Sequence, residues 1–445
     1  MADAALTRPS LPQATRTWAR IGFLSFGGPA GQIALMHREL VEERRWVDEG
    51  SFLHALNYCM LLPGPEAQQL ATYIGWRMHG VAGGIVAGTL FILPGFLAIL
   101  GLSILYVTLG DVPVVDGLLF GLRAAVIALI AQALVRLGKR LVGNAVLAGL
   151  ALAAFTALYV FAVPFPIVIL AAALIGYFAS YTGSTAFSGS SGHGAAEGLV
   201  EQLPLPPTGG AVRAGAIFLA LWLLPVVALV GALGPGHVFA DLATFFSKLA
   251  ALTFGGAYAV LAWVAQAAVE QFGWLKPGEM LDGLGLAETT PGPLILVLQF
   301  VGFLAAWRDP GGLDPLLAGT LGALLTVWVT FMPCFAWIFL GAPHAERLRT
   351  NRALSAALTA VTAAVVGVVA NLALWFALHS LFAQHRPSAI PGVRMEWPVL
   401  ASADVPAILL AALALVAALR FRLGLLPLLG GSALAGILLA LSGLA

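Results

Sequence analysis

Long apolar stretches, separated by short polar punctuation, run almost the whole length of the chain. They lie at about 15–37, 51–77, 80–108, 113–138, 141–162 and 164–182, and again at 212–233, 238–266, 279–306, 314–341, 353–382, 404–420 and 423–443. Neither Val81 to Gly110 nor Leu141 to Ala196 contains an Asp, Glu, Lys or Arg. A helix crosses a bilayer with roughly 20 apolar residues, so the pattern predicts an all-α polytopic membrane protein with about 13 membrane segments. Tyr181 to Ala211, rich in Gly, Ser and Pro and containing Pro204-Leu205-Pro206-Pro207, has the composition of a linker.

The two groups of segments share their punctuation. Ser25-Phe26-Gly27-Gly28-Pro29 returns as Thr253-Phe254-Gly255-Gly256-Ala257, 228 residues later. The same shift carries Glu42 to Glu270, Trp46 to Trp274 and Pro63-Gly64-Pro65 to Pro291-Gly292-Pro293. Further on, Leu93-Pro94-Gly95-Phe96 matches Met332-Pro333-Cys334-Phe335, and Ala124-Ala125-Val126 matches Ala363-Ala364-Val365, at a shift of 239. The difference, 239 − 228 = 11 residues, must enter the second copy between Pro293 and Pro333, and Asp309-Pro310-Gly311-Gly312 is a natural place for part of it. The expected organisation is a first repeat at 1–182, a linker and connector helix at 183–237, and a second repeat at 238–445. An odd number of segments between equivalent points turns the second copy over, giving six-helix repeats of inverted topology, as in many secondary transporters.

Charge adds an orientation. With the N-terminus in the cytoplasm, 14 Lys and Arg fall in inside loops and six outside, which predicts a cytoplasmic N-terminus and a periplasmic C-terminus. Arg38, Arg44 and Arg45 are the exceptions; if the first two segments are re-entrant, their loop lies inside. The chain is 60% hydrophobic and only 10% charged, with a mean hydropathy of +0.95. A net charge of +1 gives no reason to expect nucleic acid. No Walker A pattern is present, so ATP hydrolysis is not expected. Cys59 and Cys334 are not repeat equivalents and form no CxxC pair, so neither a disulfide framework, a metal site nor a cofactor is expected. The first 20 residues lack a signal-peptide h-region and cleavage site.

The candidate chemistry sits at the punctuation. Pro65 and Pro293 cannot continue a preceding helix, and Gly64 and Gly292 tolerate the backbone that such a break needs. A helix restarting after each break presents unpaired N–H groups and a positive dipole end, suited to an anion. Taken singly, either motif reads as a hinge; recurrence in both halves favours a binding site. The candidates at the breaks are Ser25, Phe26, Gly27, Gly28, Pro63, Gly64, Pro65, Gln68, Thr253, Gly255, Gly256, Thr289, Thr290, Pro291, Gly292 and Pro293. Arg20 and Lys248 are repeat equivalents, each six residues before the Phe of its motif. A cation within a span is a functional candidate by default, with snorkelling as the alternative for Arg20. Arg123 either meets substrate or pairs with Asp116. Glu66 and Glu288 are candidates for proton coupling, with helix capping the alternative for Glu66.

Phe23-Leu24-Ser25-Phe26-Gly27-Gly28-Pro29, Leu62-Pro63-Gly64-Pro65-Glu66-Ala67-Gln68-Gln69-Leu70, Phe254-Gly255-Gly256-Ala257-Tyr258 and Thr289-Thr290-Pro291-Gly292-Pro293 resemble the chromate ion transporter family in its two-domain long form. The resemblance covers nearly the whole chain apart from the N-terminal tail, the central linker and the Arg386–Glu396 loop. It implies efflux of chromate, or a similar oxyanion such as sulfate, across a bacterial inner membrane, conferring chromate resistance. Alternatives are an uncoupled anion channel and, against the lack of a redox centre or nucleophile–base pair, a membrane-embedded reductase. The small-residue-rich segment 141–182 leaves a homodimer open.

Overall fold

In the computed structural model the described residues are 9–110, 112–182, 185–187, 208–254, 257–342 and 351–443. They form helices α1 (Leu11–Leu24), α2 (Gly28–His37), α3 (Glu49–Cys59), α4 (Glu66–Leu109), α5 (Pro113–Gly138), α6 (Ala145–Tyr159), α7 (Phe165–Tyr181) and α8 (Thr208–Leu233). The second half contributes α9 (Val238–Leu252), α10 (Ala257–Gln266), α11 (Pro277–Thr289), α12 (Val297–Arg308), α13 (Pro315–Gly341), α14 (Arg352–Leu381), α15 (Val405–Leu419) and α16 (Leu425–Leu441). Strands among the described residues are confined to β1 (His385–Pro387) and β2 (Glu396–Pro398), an antiparallel hairpin between α14 and α15. Five helices, α4, α5, α8, α13 and α14, are long and apolar enough to cross a bilayer. The chain is a helical, multi-pass membrane protein.

The Gly/Pro punctuation divides apolar segments that the hydropathy pattern alone would leave whole. The predicted segment at 15–37 is two helices, α1 and α2, separated at Ser25–Gly27. The segment at 51–77 is α3 and the start of α4, separated at Met60–Pro65. The boundary expected before residue 80 falls inside α4, where His79 and Gly80 leave helical geometry (Gly80 φ +62°, ψ −155°). That conformation is open essentially only to glycine, and here it turns the chain back on itself. Gly75 and Gly83 then pack face to face, and a Cβ on either would run into the carbonyl of the other.

The second copy builds a similar contact between α12 and α13, through Gly302 and Gly322, although Gly302 stands one position before the equivalent of Gly75. Its turn is longer, running from Asp309 to Asp314 rather than through two residues. Part of the extra sequence is therefore the Asp309-Pro310-Gly311-Gly312 loop. A second shared detail follows α2 and α10, where the helix widens into a π-turn at Arg38–Glu43 and at Ala267–Gln271. Each widening is closed by a backbone bond, Val47 N–H to Leu40 O and Leu275 N–H to Ala268 O, and the two bonds differ by the 228-residue shift.

The chain divides into two compact units. The first draws on Met1–Gly101, Ser190–Ala257 and Thr290–Arg352; the second on Leu102–Gly189, Tyr258–Thr289 and Ala353–Ala445. Each takes parts of both sequence repeats, so the spatial division and the division by ancestry along the chain are separate properties. In the first unit, Trp18, Trp76, Phe91, Phe246, Phe300 and Phe335 are fully buried core side chains. In the second, α5 packs on α16 where Gly117 and Gly121 meet Ser432 and Gly436. Small residues one turn apart on both helices let the backbones touch, which is how helices associate without a hydrophobic driving force.

Candidate substrate site

The site is built from the breaks of the first unit. α1 ends at Ser25, whose hydroxyl turns back to donate to Ile21 O at 2.6 Å. α9 ends in the same way at Thr253, whose hydroxyl donates to Leu249 O. Each helix thereby presents its last carbonyl outward, and each carbonyl is received by a Pro-Gly-Pro loop of the other repeat. Gly64 N–H donates to Thr253 O at 2.8 Å, and Gly292 N–H donates to Ser25 O at 2.8 Å. Adding 228 to one pair of residues gives the other, with donor and acceptor repeats exchanged. Gly64 (φ +119°) and Gly292 (φ +97°) both hold left-handed backbone. A Cβ on Gly64 would press on Cys334, and one on Gly292 would press on Gly95. Cys334 and Gly95 are themselves equivalent at the 239-residue shift.

These contacts border a small crevice, open at its mouth, with about 20 Å³ of space for the centres of water-sized spheres. Pro29 and Gln32 line it from α2, Gly64 to Ala67 from the first Pro-Gly-Pro loop, and Pro293 to Ile295 from the second, with Thr253 beside them. Two amides silence carbonyls at the loops: Gln32 Nε2 donates to Gly292 O at 2.6 Å, and Gln69 Nε2 donates to Pro63 O at 2.7 Å. The loop carbonyls of Ser25, Pro63, Thr253 and Gly292 are thus all engaged as acceptors. The helix starts supply the opposite polarity, since first-turn N–H groups such as those of Ala67, Leu294 and Ile295 have no carbonyl one turn earlier to receive them. First-turn donors beside capped acceptors make the crevice suited to an anion. Glu66 brings the one acidic side chain to its lining.

The family model for chromate transporters matches residues 13–177 and 240–437. The chain belongs to the chromate transporter family. The second matched stretch runs through the Arg386–Glu396 loop, which the quoted motifs alone leave out. The chromate transport protein of Pseudomonas aeruginosa is 35% identical over 363 residues, covering 81% of this chain and 79% of the relative. The probable chromate transport protein of Synechococcus elongatus is 30% identical, covering 84% of this chain and 86% of its own. The chromate transport protein of Cupriavidus metallidurans is 29% identical, with 84% of each chain covered. No solved structure matches the chain. As a member of this family the protein is a transporter and not an enzyme.

Within the transporter, the predicted break residues separate into three groups. Gly64, Pro65, Thr253 and Pro293 line the crevice, as does Glu66, while Ser25, Pro63 and Gly292 form its framework. Pro291 O lies against Gly95, and Thr290 is buried in the same unit. Phe26, Gly27 and Gly28 form the turn that leads into α2, with Phe26 N–H bonded to Leu24 O. Gln68 is buried but aims its amide at Thr72 Oγ1, 3.0 Å away, rather than at the crevice. Gly255 and Gly256 lie outside the described residues.

The charged candidates are elsewhere. Arg20 is 55% exposed and paired with the fully buried Glu39 at 3.3 Å, a carboxylate that Arg44 also meets at 2.6 Å. Lys248 is exposed on α9, and neither cation lines the crevice. Arg123 belongs to the second unit and pairs not with Asp116 but with Asp282, through Nε–Oδ1 at 2.6 Å and Nη2–Oδ2 at 2.9 Å. Tyr106 donates its hydroxyl to the same carboxylate at 2.9 Å. Glu288, also in the second unit, is buried and accepts a hydrogen bond from Tyr258 at 2.8 Å. Thr289 bonds back to Leu286 O. Gln32 and Asp282 escaped the sequence reading. Asp282 carried a signal, an acidic residue inside an apolar run; Gln32 did not, because its repeat equivalent is Val260.

Proposed function

We propose that the protein is a secondary transporter that exports chromate, or a tetrahedral oxyanion of similar charge such as sulfate, across the bacterial inner membrane and so confers chromate resistance. The crevice of the first unit is the anion site. The observation that carries this reading is the exchanged pair of backbone bonds, Gly64 to Thr253 and Gly292 to Ser25. It brings both Pro-Gly-Pro loops to one place, beside two helix starts and four capped carbonyls. The named activity of the relatives supports chromate as the cargo. The exchange of donor and acceptor between the copies supports an inverted pair of repeats, and the excess of Lys and Arg in one set of loops supports a cytoplasmic N-terminus and a periplasmic C-terminus.

Glu66 is the proton-coupling group in this reading. An ionised carboxylate at the crevice repels a dianion, whereas a protonated one can donate a hydrogen bond to it. Glu288, buried against a phenol, is the second candidate. The test is uptake of radiolabelled chromate and sulfate into proteoliposomes with and without an imposed pH gradient. The reading predicts gradient-driven accumulation of chromate, competed by excess sulfate, and loss of the gradient dependence in Glu66→Gln. Flow that only equilibrates the anion, gradient or not, would make the protein a channel.

A further inference from the structure

The hairpin that joins α14 to α15 in the second unit carries chemistry that anion transport does not use. We propose that His379, His385 and Glu396 form a binding site for a divalent transition cation of the zinc type. One ligand atom from each residue lies within 4.8 Å of the others. His379 Nε2 and Glu396 Oε2 are 3.7 Å apart, and the two imidazole rings stack at 4.4 Å.

The protonation pattern points the same way. His379 Nδ1 lies 3.0 Å from the carbonyl oxygen of Trp375, which can only accept, so Nδ1 carries a hydrogen. In the neutral ring Nε2 is then the bare nitrogen, and it faces a carboxylate. Fixing one ring nitrogen on a backbone carbonyl to present the other is how metal-binding histidines are oriented. His385 Nε2 is buried and has no hydrogen-bond partner among the described residues. Three lone-pair donors converge at the stem of the hairpin.

The ligands stand on ordered elements. In the hairpin His385 pairs with Pro398 and Pro387 with Glu396, so His385 and Glu396 share one face as diagonal neighbours. The stem is fastened to the helix ends by Ala383 N–H to Ser402 O at 3.0 Å, Val399 N–H to Gln384 O at 2.9 Å and Asp404 N–H to Leu381 O at 2.9 Å. Bonds of about 2.0–2.2 Å to a tetrahedral zinc put ligand atoms roughly 3.3 Å apart, so closure requires side-chain rotations that bring ligand atoms closer by up to about 1.5 Å. Two imidazoles and a carboxylate select zinc, cobalt, nickel or copper over magnesium or calcium. Three protein ligands leave one position for water.

The test uses purified full-length protein carrying a tag without histidine. Isothermal titration with Zn²⁺ is expected to show one saturable site per chain that excess Mg²⁺ does not displace. Co²⁺ bound at that site is expected to give visible ligand-field absorption that Zn²⁺ abolishes. His385→Ala and His379→Ala should each weaken Zn²⁺ binding by about tenfold or more. Glu396→Gln, which keeps the shape of the hairpin, should weaken it while leaving the thermal unfolding of the metal-free protein unchanged. No saturable binding, or equal affinity in wild type and His385→Ala, overturns the proposal. None of these readouts involves the crevice or its anion.

Discussion

In the first unit, the crevice takes its polarity from backbone N–H groups and from two side-chain amides that cap carbonyls. In the second, Arg123, Asp282 and Tyr106 form a polar triangle, where a half-buried cation is met bidentately by a buried carboxylate. A full charge inside apolar helices looks like the stronger anion ligand, yet its partner neutralises it. Glu66 aside, the crevice lining holds only partial charges, those of helix-start N–H groups with no carbonyl one turn earlier. Net field at the point of binding decides where an anion goes, not the formal charge of the nearest residue. Burying a charge requires a partner, and the partner removes its attraction for a substrate.

The largest expected effect falls on the second unit. Asp282→Ala leaves the half-buried Arg123 without its paired carboxylate and is expected to destabilise the protein by about 2 kcal/mol, less than for a fully buried pair. The double change Arg123→Met with Asp282→Leu should recover most of that loss, read from thermal unfolding in detergent. If the single and double variants unfold alike, the pair is not the strut described here.

Next in size are the loop glycines. Gly64→Val and Gly292→Val force a side chain into left-handed backbone and against Cys334 or Gly95, a strain of about 1–3 kcal/mol. Both should abolish chromate transport while the protein still reaches the membrane. Because the two contacts are exchanged equivalents, the losses should match. A normal rate in either variant would break the symmetry of the site.

A smaller effect is expected for the capping amides. Gln32→Leu frees Gly292 O at the crevice and Gln69→Leu frees Pro63 O. Each should raise the KM for chromate by roughly tenfold, the worth of one unmade hydrogen bond beside a charged ligand. The smallest belongs to Lys248→Ala. An exposed side chain away from the crevice should change transport by less than about twofold. A large loss at Lys248 would return the duplicated cation to the site.

The breaks were legible because Gly and Pro act locally, and because duplication separates a meaningful interruption from an incidental one. Membrane class and the positions of the restarted helices followed from the same local rules, while most of the expected linker lies outside the described residues. The partners were not legible. Arg123 has Asp116 seven residues before it, a plausible mate along one helix, whereas Asp282 comes from a helix 159 residues away. Gln32 was invisible to a search for echoes, since Val260 stands in its place. The match of Arg20 with Lys248 did suggest a paired role, but Glu39 at the buried π-turn holds Arg20, and Ala267 replaces that carboxylate in the second copy. Repetition marks what the ancestor needed, and the site's present polarity depends on residues in which the copies have diverged.

The central claim is that backbone donors at the crevice bind the anion, and it can be tested at one atom. Pro293 has an extended backbone (φ −62°, ψ 132°), so proline can follow it without strain. Leu294→Pro then deletes one crevice N–H, and Leu294→Ala removes the same side chain but keeps the donor. Equilibrium binding of radiolabelled chromate to the purified transporter should be near wild type in Leu294→Ala and weaker by about tenfold or more in Leu294→Pro. Equal affinity in the two variants would contradict the account.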